Sequence, residues 1–136
     1  MKVKRFIIID DDPINNKLCR YLIGKVASPD TEILDFTSAD GALSFISDTY
    51  ISSACTTVVF LDINMPDING WEFLTNYELL PKSIQQQIDI YILSSSVDGR
   101  DKDRAYKSSY ISDFIVKPLR VETISSILDK LHSTNT

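Results

Sequence analysis

The sequence predicts a doubly wound α/β domain, in which a mostly parallel five-stranded sheet carries helices on both faces. Short apolar runs rich in isoleucine and valine alternate along the chain with segments of helical periodicity. Such runs are typical of strands buried on both faces, and their alternation with helices favours right-handed parallel crossovers. The 136 residues, 43% hydrophobic and 24% charged, suffice for one core. We therefore expect one domain over 1–136, with its core over about 4–132 and a frayed end at 133–136.

The five predicted strands are apolar runs that end in polar or turn residues. The first run, KRFIII, meets three aspartates, and the last, DFIVKP, is stopped by Pro118. Because FIII and VVFL are apolar at every position, both faces of the sheet should be covered. The strands are expected at 4–9, 32–36, 56–62, 88–95 and 113–118.

The first of five predicted helices begins at Pro13, whose fixed φ suits a first helical turn, and Asp12 can cap its free N–H groups. The other helices are expected at 37–47, 71–80, 98–109 and 121–132, and 98–109 is polar and weakly amphipathic. Apolar residues recur at helical spacing along the first, second, third and fifth helices. They are Ile14, Leu18, Tyr21, Leu22 and Val26; Ala42, Leu43, Phe45 and Ile46; Trp71, Phe73, Leu74 and Tyr77; and Ile124, Ile127, Leu128 and Leu131.

Composition and charge exclude several classes of protein. The longest apolar runs have four residues, far short of the ~20 needed to span a bilayer and too short for a signal peptide. We therefore expect a cytoplasmic protein with no membrane insertion. A net charge of −5 argues against direct nucleic-acid binding. Cys19 and Cys55 lack CxxC spacing, so we predict buried thiols rather than a disulfide or a zinc site.

Four of the five predicted strands end in polar residues or are followed directly by them. In open α/β sheets, ligands bind beyond the carboxyl ends of the strands, so these residues should converge on one edge. They are Asp10, Asp11 and Asp12; Asp62 and Asn64; Ser94 and Ser95; and Lys117.

The predicted edge combines clustered carboxylates with a hydroxyl and an ammonium. Clustered carboxylates repel one another unless a proton or a cation neutralises them, and oxygen ligands of this kind suit Mg²⁺. A metal beside a carboxylate, a hydroxyl and a lysine is equipment for phosphoryl transfer. The sequence has no GxxxxGK[ST] loop, so a nucleotide donor is not expected.

The segments IIIDDDP, FLDINMP, ILSSS and FIVKPL, in this order and spacing, closely resemble the receiver domain of two-component response regulators. Any one motif is common, but four in order at the ends of the right strands are specific. The resemblance covers about residues 4–132 and implies a (βα)5 three-layer sandwich with the flavodoxin-like strand order 2-1-3-4-5. Because the chain stops after the fifth predicted helix, we expect a stand-alone, single-domain form.

The resemblance implies a metal site and a nucleophile. Asp62 would be the phosphoacceptor, whose carboxylate attacks phosphorus to give an aspartyl phosphate. Asp10 and Asp11 match the acidic pair of the family and would hold Mg²⁺ together with Asp62 and the main-chain carbonyl of Asn64. Asp12 lies outside the pair and is predicted to act as a helix cap.

The resemblance also implies a phosphoryl-binding pair and a switch. Ser94 would contact the phosphoryl oxygens, although a shift of one residue would exchange its role with that of Ser95. Lys117 would pair with the acyl phosphate, and the family often makes the peptide bond to the following proline cis. Phe114 matches the family's switch aromatic, whose rotamer follows the Ser94 position, so Ser94 and Phe114 would form the switch.

Three functions remain open from the sequence. The first is a phosphoacceptor domain, rather than a conventional enzyme, that is phosphorylated by a histidine kinase or a histidine phosphotransfer protein. The second is a pseudo-receiver that keeps the fold and acts only through protein contacts. The third is a Mg²⁺-dependent phosphatase with an aspartyl nucleophile, but such enzymes carry a second acid two residues after the nucleophile, where this chain has Asn64.

The resemblance implies a surface for a downstream protein partner. In the family this surface combines the fourth helix, the fifth strand and the fifth helix. In this chain it would include Arg104, Tyr106, Lys107 and Tyr110. A monomer and a phosphorylation-dependent homodimer are both compatible with this expectation.

Overall fold

The computed structural model describes residues 3–49, 56–63, 70–95 and 99–133. The five strands are β1 Val3–Ile9, β2 Glu32–Phe36, β3 Thr56–Leu61, β4 Ile88–Ser94 and β5 Ile111–Val116. The helices are α1 Pro13–Val26, α2 Ala39–Thr49, α3 Gly70–Tyr77, α4 Lys82–Gln85, α5 Gly99–Lys107 and α6 Val121–Ser133. The one-turn helix α4 was not predicted, because four residues cannot display helical periodicity.

The five strands form one sheet in the order β2-β1-β3-β4-β5, and all four neighbouring pairs are parallel. The predicted strand order is therefore confirmed. The order reverses between β1 and β3, which are direct neighbours. In sheets of this kind the ligand crevice lies at this reversal, beyond the carboxyl ends of the strands.

Helices cover both faces of the sheet and bury a separate apolar cluster on each. Residues of α2, α3, α4 and α5 pack on one face, and residues of α1 and α6 pack on the other. Strand β1 contributes Ile7 and Ile9 to the first cluster and Phe6 and Ile8 to the second. All four side chains are 0% exposed, which explains why this run is apolar at every position.

The buried face of α1 differs from the one its apolar pattern indicated. Its buried residues are Asn16, Cys19 and Ile23, whereas Leu22 and Val26 pack partly against the core. Asn16 belongs to the buried face because its side-chain amide donates to the carbonyl of Asp10 at 3.0 Å. The remaining apolar residues of the pattern point to solvent: Ile14 is 78%, Leu18 43% and Tyr21 61% exposed.

Most side chains of helix α5 are exposed. Ala105 is its one buried residue, which agrees with the polar composition of this segment. The Arg104 guanidinium lies 4.3 Å from the centre of the Trp71 ring at the start of α3, and the Tyr106 hydroxyl donates to Asp113 of β5 at 3.3 Å. Among the described residues, no helix is long and apolar enough to span a membrane.

Candidate functional site

The carboxyl ends of β1 and β3 bring three acidic side chains together. The Asp62 amide donates to the carbonyl of Ile9 at 2.9 Å, so the residues that follow the two strands are held side by side. Carboxylate oxygens of Asp10, Asp11 and Asp62 all lie within 4.8 Å of one another. Asp10 and Asp62 are 2% and 6% exposed, respectively, whereas Asp11 faces solvent.

Hydrogen bonds fix the Asp10 carboxylate on both oxygens. Its Oδ1 accepts from the Asp12 amide at 2.9 Å. Its Oδ2 accepts from the Asn15 side-chain amide at 2.8 Å and from the Lys117 ammonium at 2.7 Å. A buried carboxylate needs such partners because it has lost its hydration.

The Lys117 ammonium lies between the two buried carboxylates. It donates to Asp10 at 2.7 Å, and its distance to Oδ2 of Asp62 is 3.9 Å. Burial acts to lower the pKa of Lys117, but the hydrogen bond to Asp10 and the charges of Asp62 and Asp10 raise this pKa above its usual value. The peptide bond between Lys117 and Pro118 is cis.

Ser94 lies at the end of β4, next to the strand that leads to Lys117. The main-chain amide of Lys117 donates to the carbonyl of Ser94 at 2.8 Å. Ser94 is fully buried, whereas Ser95 faces solvent. Phe114 is 8% exposed and packs in the core beneath α5, opposite Ile92 of β4. Ser94 and Phe114 thus lie on neighbouring strands.

The acidic cluster has the composition of a site for a hard divalent cation. Three carboxylates meet over a short distance, and one lysine cannot neutralise them all. Oxygen ligands, two of them on buried residues, fit Mg²⁺, which binds one or two protein carboxylates and keeps several waters. Asn64, the predicted fourth ligand through its carbonyl, lies outside the described residues.

Two predictions beside the cluster agree with the structure. The Asp12 carboxylate accepts from the Ile14 amide at 3.0 Å, as a cap of α1. Cys19 is a buried free thiol, and burial, together with the charge of Asp10, raises its pKa to about 11. Its thiol is therefore neutral at physiological pH. Cys55 lies outside the described residues.

Sequence reasoning missed three residues that build the site. The side chains of Asn15 and Asn16 donate to the carboxylate and the main-chain carbonyl of Asp10, respectively. A Cβ added at Gly70 would lie 2.8 Å from the carbonyl of Asp62 and 2.6 Å from Cα of Ile63. The adjacent asparagines in the first turn of a helix were the available signal. Nothing in the sequence indicated the close approach at Gly70.

The chain matches known proteins along most of its length. The family model described as the response regulator receiver domain matches residues 6–129. A crystal structure of a two-component response regulator from Cytophaga hutchinsonii has a TM-score of 0.86 and 28% identity, covering 98% of this chain and 99% of that one. A response regulator receiver protein from Dyadobacter fermentans has a TM-score of 0.84 and 29% identity, covering 94% and 97%.

Curated relatives match over only part of their own length. The protein-glutamate methylesterase/protein-glutamine glutaminase of Treponema denticola is 33% identical over 135 residues, which are 93% of this chain and 33% of the relative. The cyclic di-GMP phosphodiesterase response regulator RpfG of Xanthomonas campestris is 28% identical over 114 residues, which are 84% of this chain and 28% of the relative. The chain thus spans a third or less of the length of these two relatives. From the family match and the shared architecture, this chain belongs to the response regulator receiver domain family.

Proposed function

We propose that this receiver domain is a phosphoacceptor, in which Asp62 takes a phosphoryl group from a histidine kinase or a histidine phosphotransfer protein with Mg²⁺ bound. One observation carries this proposal. At the carboxyl edge of the sheet, three carboxylates lie within 4.8 Å of one another, and an ammonium lies 3.9 Å from Asp62. This arrangement can both provide an oxygen nucleophile and balance the charge of a phosphoryl group.

Asp62 is the proposed nucleophile. One of its carboxylate oxygens bonds to phosphorus while the bond from phosphorus to the donor's imidazole nitrogen breaks, and the imidazole takes up a proton. Lys117 supplies positive charge to the phosphoryl oxygens from its position between Asp10 and Asp62. Ser94, buried at the end of β4, supplies a hydroxyl donor.

Asp10, Asp11 and Asp62 are the proposed protein ligands of Mg²⁺, together with the main-chain carbonyl of Asn64. When bound, Mg²⁺ neutralises part of the charge on the transferring phosphoryl group. The close approach of the three carboxylates supports this assignment, because without a cation they repel one another.

Phosphorylation is proposed to shift the population between two packings of β4, β5 and α5. A phosphoryl group on Asp62 would draw Ser94 and Lys117 inward, and Phe114, on the strand beside Ser94, would follow. The small number of buried side chains on α5, where Ala105 alone is buried, supports this proposal, because elements with few buried apolar contacts open most easily.

The exposed apolar stripe on α1 favours a protein as the phosphoryl donor. Ile14, Leu18 and Tyr21 are spaced four and three residues apart, so they lie on one side of the helix. Ile14 is the second residue of α1, which begins at Pro13 directly after the acidic segment. The stripe therefore starts beside the acidic site. A donor helix that covers the stripe with its own apolar side chains would bring its phosphohistidine to Asp62.

The surface of α5, β5 and α6 is the proposed docking site for a downstream protein. It corresponds to the fourth helix, fifth strand and fifth helix of the sequence prediction, because α4 was not predicted. Tyr106 is 58% exposed, Arg104 and Lys107 are exposed, and Tyr110 is partly buried. Homodimerisation through the same surface stays a prediction.

Intact-mass analysis after incubation with acetyl phosphate and Mg²⁺ tests the phosphoacceptor proposal. The unmodified chain should gain one phosphoryl group, and the gain should be absent with EDTA. Asp62→Asn should gain none, whereas Asp48→Asn, at an exposed position of α2, should gain as much as the unmodified chain. Equal phosphorylation of the Asp62→Asn variant would exclude Asp62 as the acceptor.

The pseudo-receiver is not favoured, because the acidic cluster and Lys117 lie together at one edge of the sheet. A protein that acts only through contacts needs neither group in this position. An output that is fully retained in Asp62→Asn would nevertheless support the pseudo-receiver. Asn64 in place of a second acid likewise argues against the phosphatase.

A further inference from the structure

Two donors of different kinds share one oxygen of Asp10. The Lys117 ammonium donates to Oδ2 at 2.7 Å, and the Asn15 amide donates to the same atom at 2.8 Å. Lys117 is charged and sits at the end of a flexible stem. Asn15 is neutral, has a short side chain and belongs to the first turn of α1, so its position follows from the helix.

The Lys117 ammonium also has a second carboxylate within reach. Lys117 lies 3.9 Å from Asp62, so a phosphoryl group on Asp62 would compete with Asp10 for its ammonium. The short side chain of Asn15 is fixed to the first turn of α1 and donates to Asp10 at 2.8 Å. When Lys117 turns to Asp62, the Asn15 amide therefore stays with Asp10.

Because the Asn15 amide is neutral, it does not weaken the attraction of the acidic cluster for a cation. A second lysine or an arginine at position 15 would cancel the negative charge of Asp10, which is 2% exposed, and would repel a divalent ion. An amide orients the carboxylate by a hydrogen bond and leaves its charge available. Metal affinity commonly falls when a hydrogen-bond partner that holds a metal ligand in place is removed.

We propose that Asn15 is a positioning residue, which holds the Asp10 carboxylate for Mg²⁺ and remains its donor when Lys117 turns to a phosphoryl group. This inference rests on the proposed function, since it assumes Mg²⁺ at the acidic cluster. It assigns Asn15 no contact with the metal or the phosphoryl group.

Titration calorimetry with MgCl₂, without any phosphoryl donor, tests this role. Asn15→Ala removes the donor, and Asn15→Leu removes it while nearly keeping the side-chain volume. Both variants should bind Mg²⁺ roughly 10-fold more weakly than the unmodified chain. Asn76→Ala makes the same chemical change at an exposed position of α3 and should leave the affinity unchanged.

Two results would overturn the role of Asn15. One is a Mg²⁺ affinity of Asn15→Ala within about two-fold of that of the unmodified chain. Such a change is far smaller than the loss expected when a hydrogen-bond partner of a metal ligand is removed. The other is recovery of the original affinity in Asn15→Leu, which would assign the effect to volume and not to the hydrogen bond. At Mg²⁺ concentrations that saturate every protein, acetyl phosphate should label the variants and the unmodified chain at similar rates.

The experiment separates failure of this inference from failure of the proposed function. A chain that binds Mg²⁺ with help from Asn15 but takes no phosphoryl group would refute the phosphoacceptor proposal alone. A chain that is phosphorylated on Asp62 while both Asn15 variants keep the original Mg²⁺ affinity would refute the role of Asn15 alone.

Discussion

Lys117 donates a hydrogen bond to Asp10 at 2.7 Å, while its distance to Asp62 is 3.9 Å. The ammonium thus stands closer to Asp10, which is proposed only as a metal ligand, than to Asp62, which is also the proposed phosphoacceptor. Both carboxylates are almost fully buried, so the position of one positive charge decides which of them is neutralised. Movement of the Lys117 ammonium from Asp10 to Asp62 would therefore affect metal binding, phosphorylation and stability together.

Replacement of Lys117 by Met should destabilise the protein when no divalent cation is present. The free energy of unfolding should fall by about 2 kcal/mol, less than for a fully buried pair, because the lysine side chain is 21% exposed. Saturating Mg²⁺ should restore part of the loss, since the cation replaces the missing charge. Urea unfolding in EDTA and in MgCl₂ measures both effects.

The control for this variant is Lys102→Met, which removes the same charge from an exposed position of α5. It should change the free energy of unfolding by no more than about 0.5 kcal/mol. If the two variants are equally stable in EDTA, Lys117 does not neutralise the acidic cluster.

Replacement of Gly70 by Ala should destabilise the junction of β3 and α3. The added Cβ would lie 2.6 Å from Cα of Ile63, and the main chain must move to accept it, at about 1–3 kcal/mol. Gly99, also the first residue of a helix, has nothing within 4 Å of an added Cβ. Gly99→Ala should therefore be neutral or stabilising by up to about 1 kcal/mol.

Thermal unfolding of the two glycine variants compares these expectations directly. Gly70→Ala should also lose affinity for Mg²⁺, because the clash falls on the main chain of Asp62. A Gly70→Ala protein as stable as Gly99→Ala would mean that the contact at Ile63 relaxes without cost.

Replacement of Asp89 by Asn should stabilise the protein at neutral pH. Burial raises the pKa of the Asp89 carboxyl above its usual value of 3.8, although the Ser112 hydrogen bond and the charge of Lys130 oppose this shift. Because the folded pKa exceeds the unfolded one, ionisation of Asp89 costs stability above the folded pKa and costs nothing below 3.8. The gain from Asn should therefore shrink as the pH falls.

The urea midpoints of unfolding of Asp89→Asn and of the unmodified chain, measured between pH 7 and pH 4, test this expected decrease. Asp48→Asn is the control at an exposed position. A stabilisation that is constant over this range, or that grows toward low pH, would show that ionisation of Asp89 is not its cause.

Replacement of the exposed apolar side chains of α1 should impair a protein donor and spare a small one. The double variant Ile14→Ser, Tyr21→Ser changes side chains that are 78% and 61% exposed, so stability should change little. Phosphorylation by a purified histidine kinase that labels the unmodified chain should slow by about 10-fold or more, as expected when interface anchors are lost. Labelling by acetyl phosphate should be unchanged.

Leu79→Ser is the control, because Leu79 is 82% exposed but lies away from α1, after α3. It should be phosphorylated by the kinase at the original rate. Equal labelling of the double variant and the control would place the donor on another surface.

The sheet and the site were predictable because their signals are strong and local. Runs such as FIII and VVFL are apolar at every position, which is typical of strands buried on both faces. The topology rule for parallel sheets then places the residues that follow them together. Asp10, Asp62 and Lys117 are distant in sequence yet meet for this reason.

The orientation of α1 could not be read from its sequence. Its apolar pattern includes Ile14, Leu18 and Tyr21, which are exposed, whereas Asn16 is buried. Burial of Asn16 follows from its bond to the main chain of Asp10, a tertiary contact that outweighs hydrophobic periodicity. The helix itself is as predicted, and its exposed apolar stripe is the one proposed to meet the phosphoryl donor.

The most direct test of the central claim is to locate the modified residue. After phosphorylation with acetyl phosphate and Mg²⁺, borohydride reduction converts an aspartyl phosphate to homoserine, and peptide mass mapping identifies the position. We expect homoserine at Asp62 alone. Homoserine at Asp10, Asp11 or any other aspartate, with Asp62 unmodified, would contradict it.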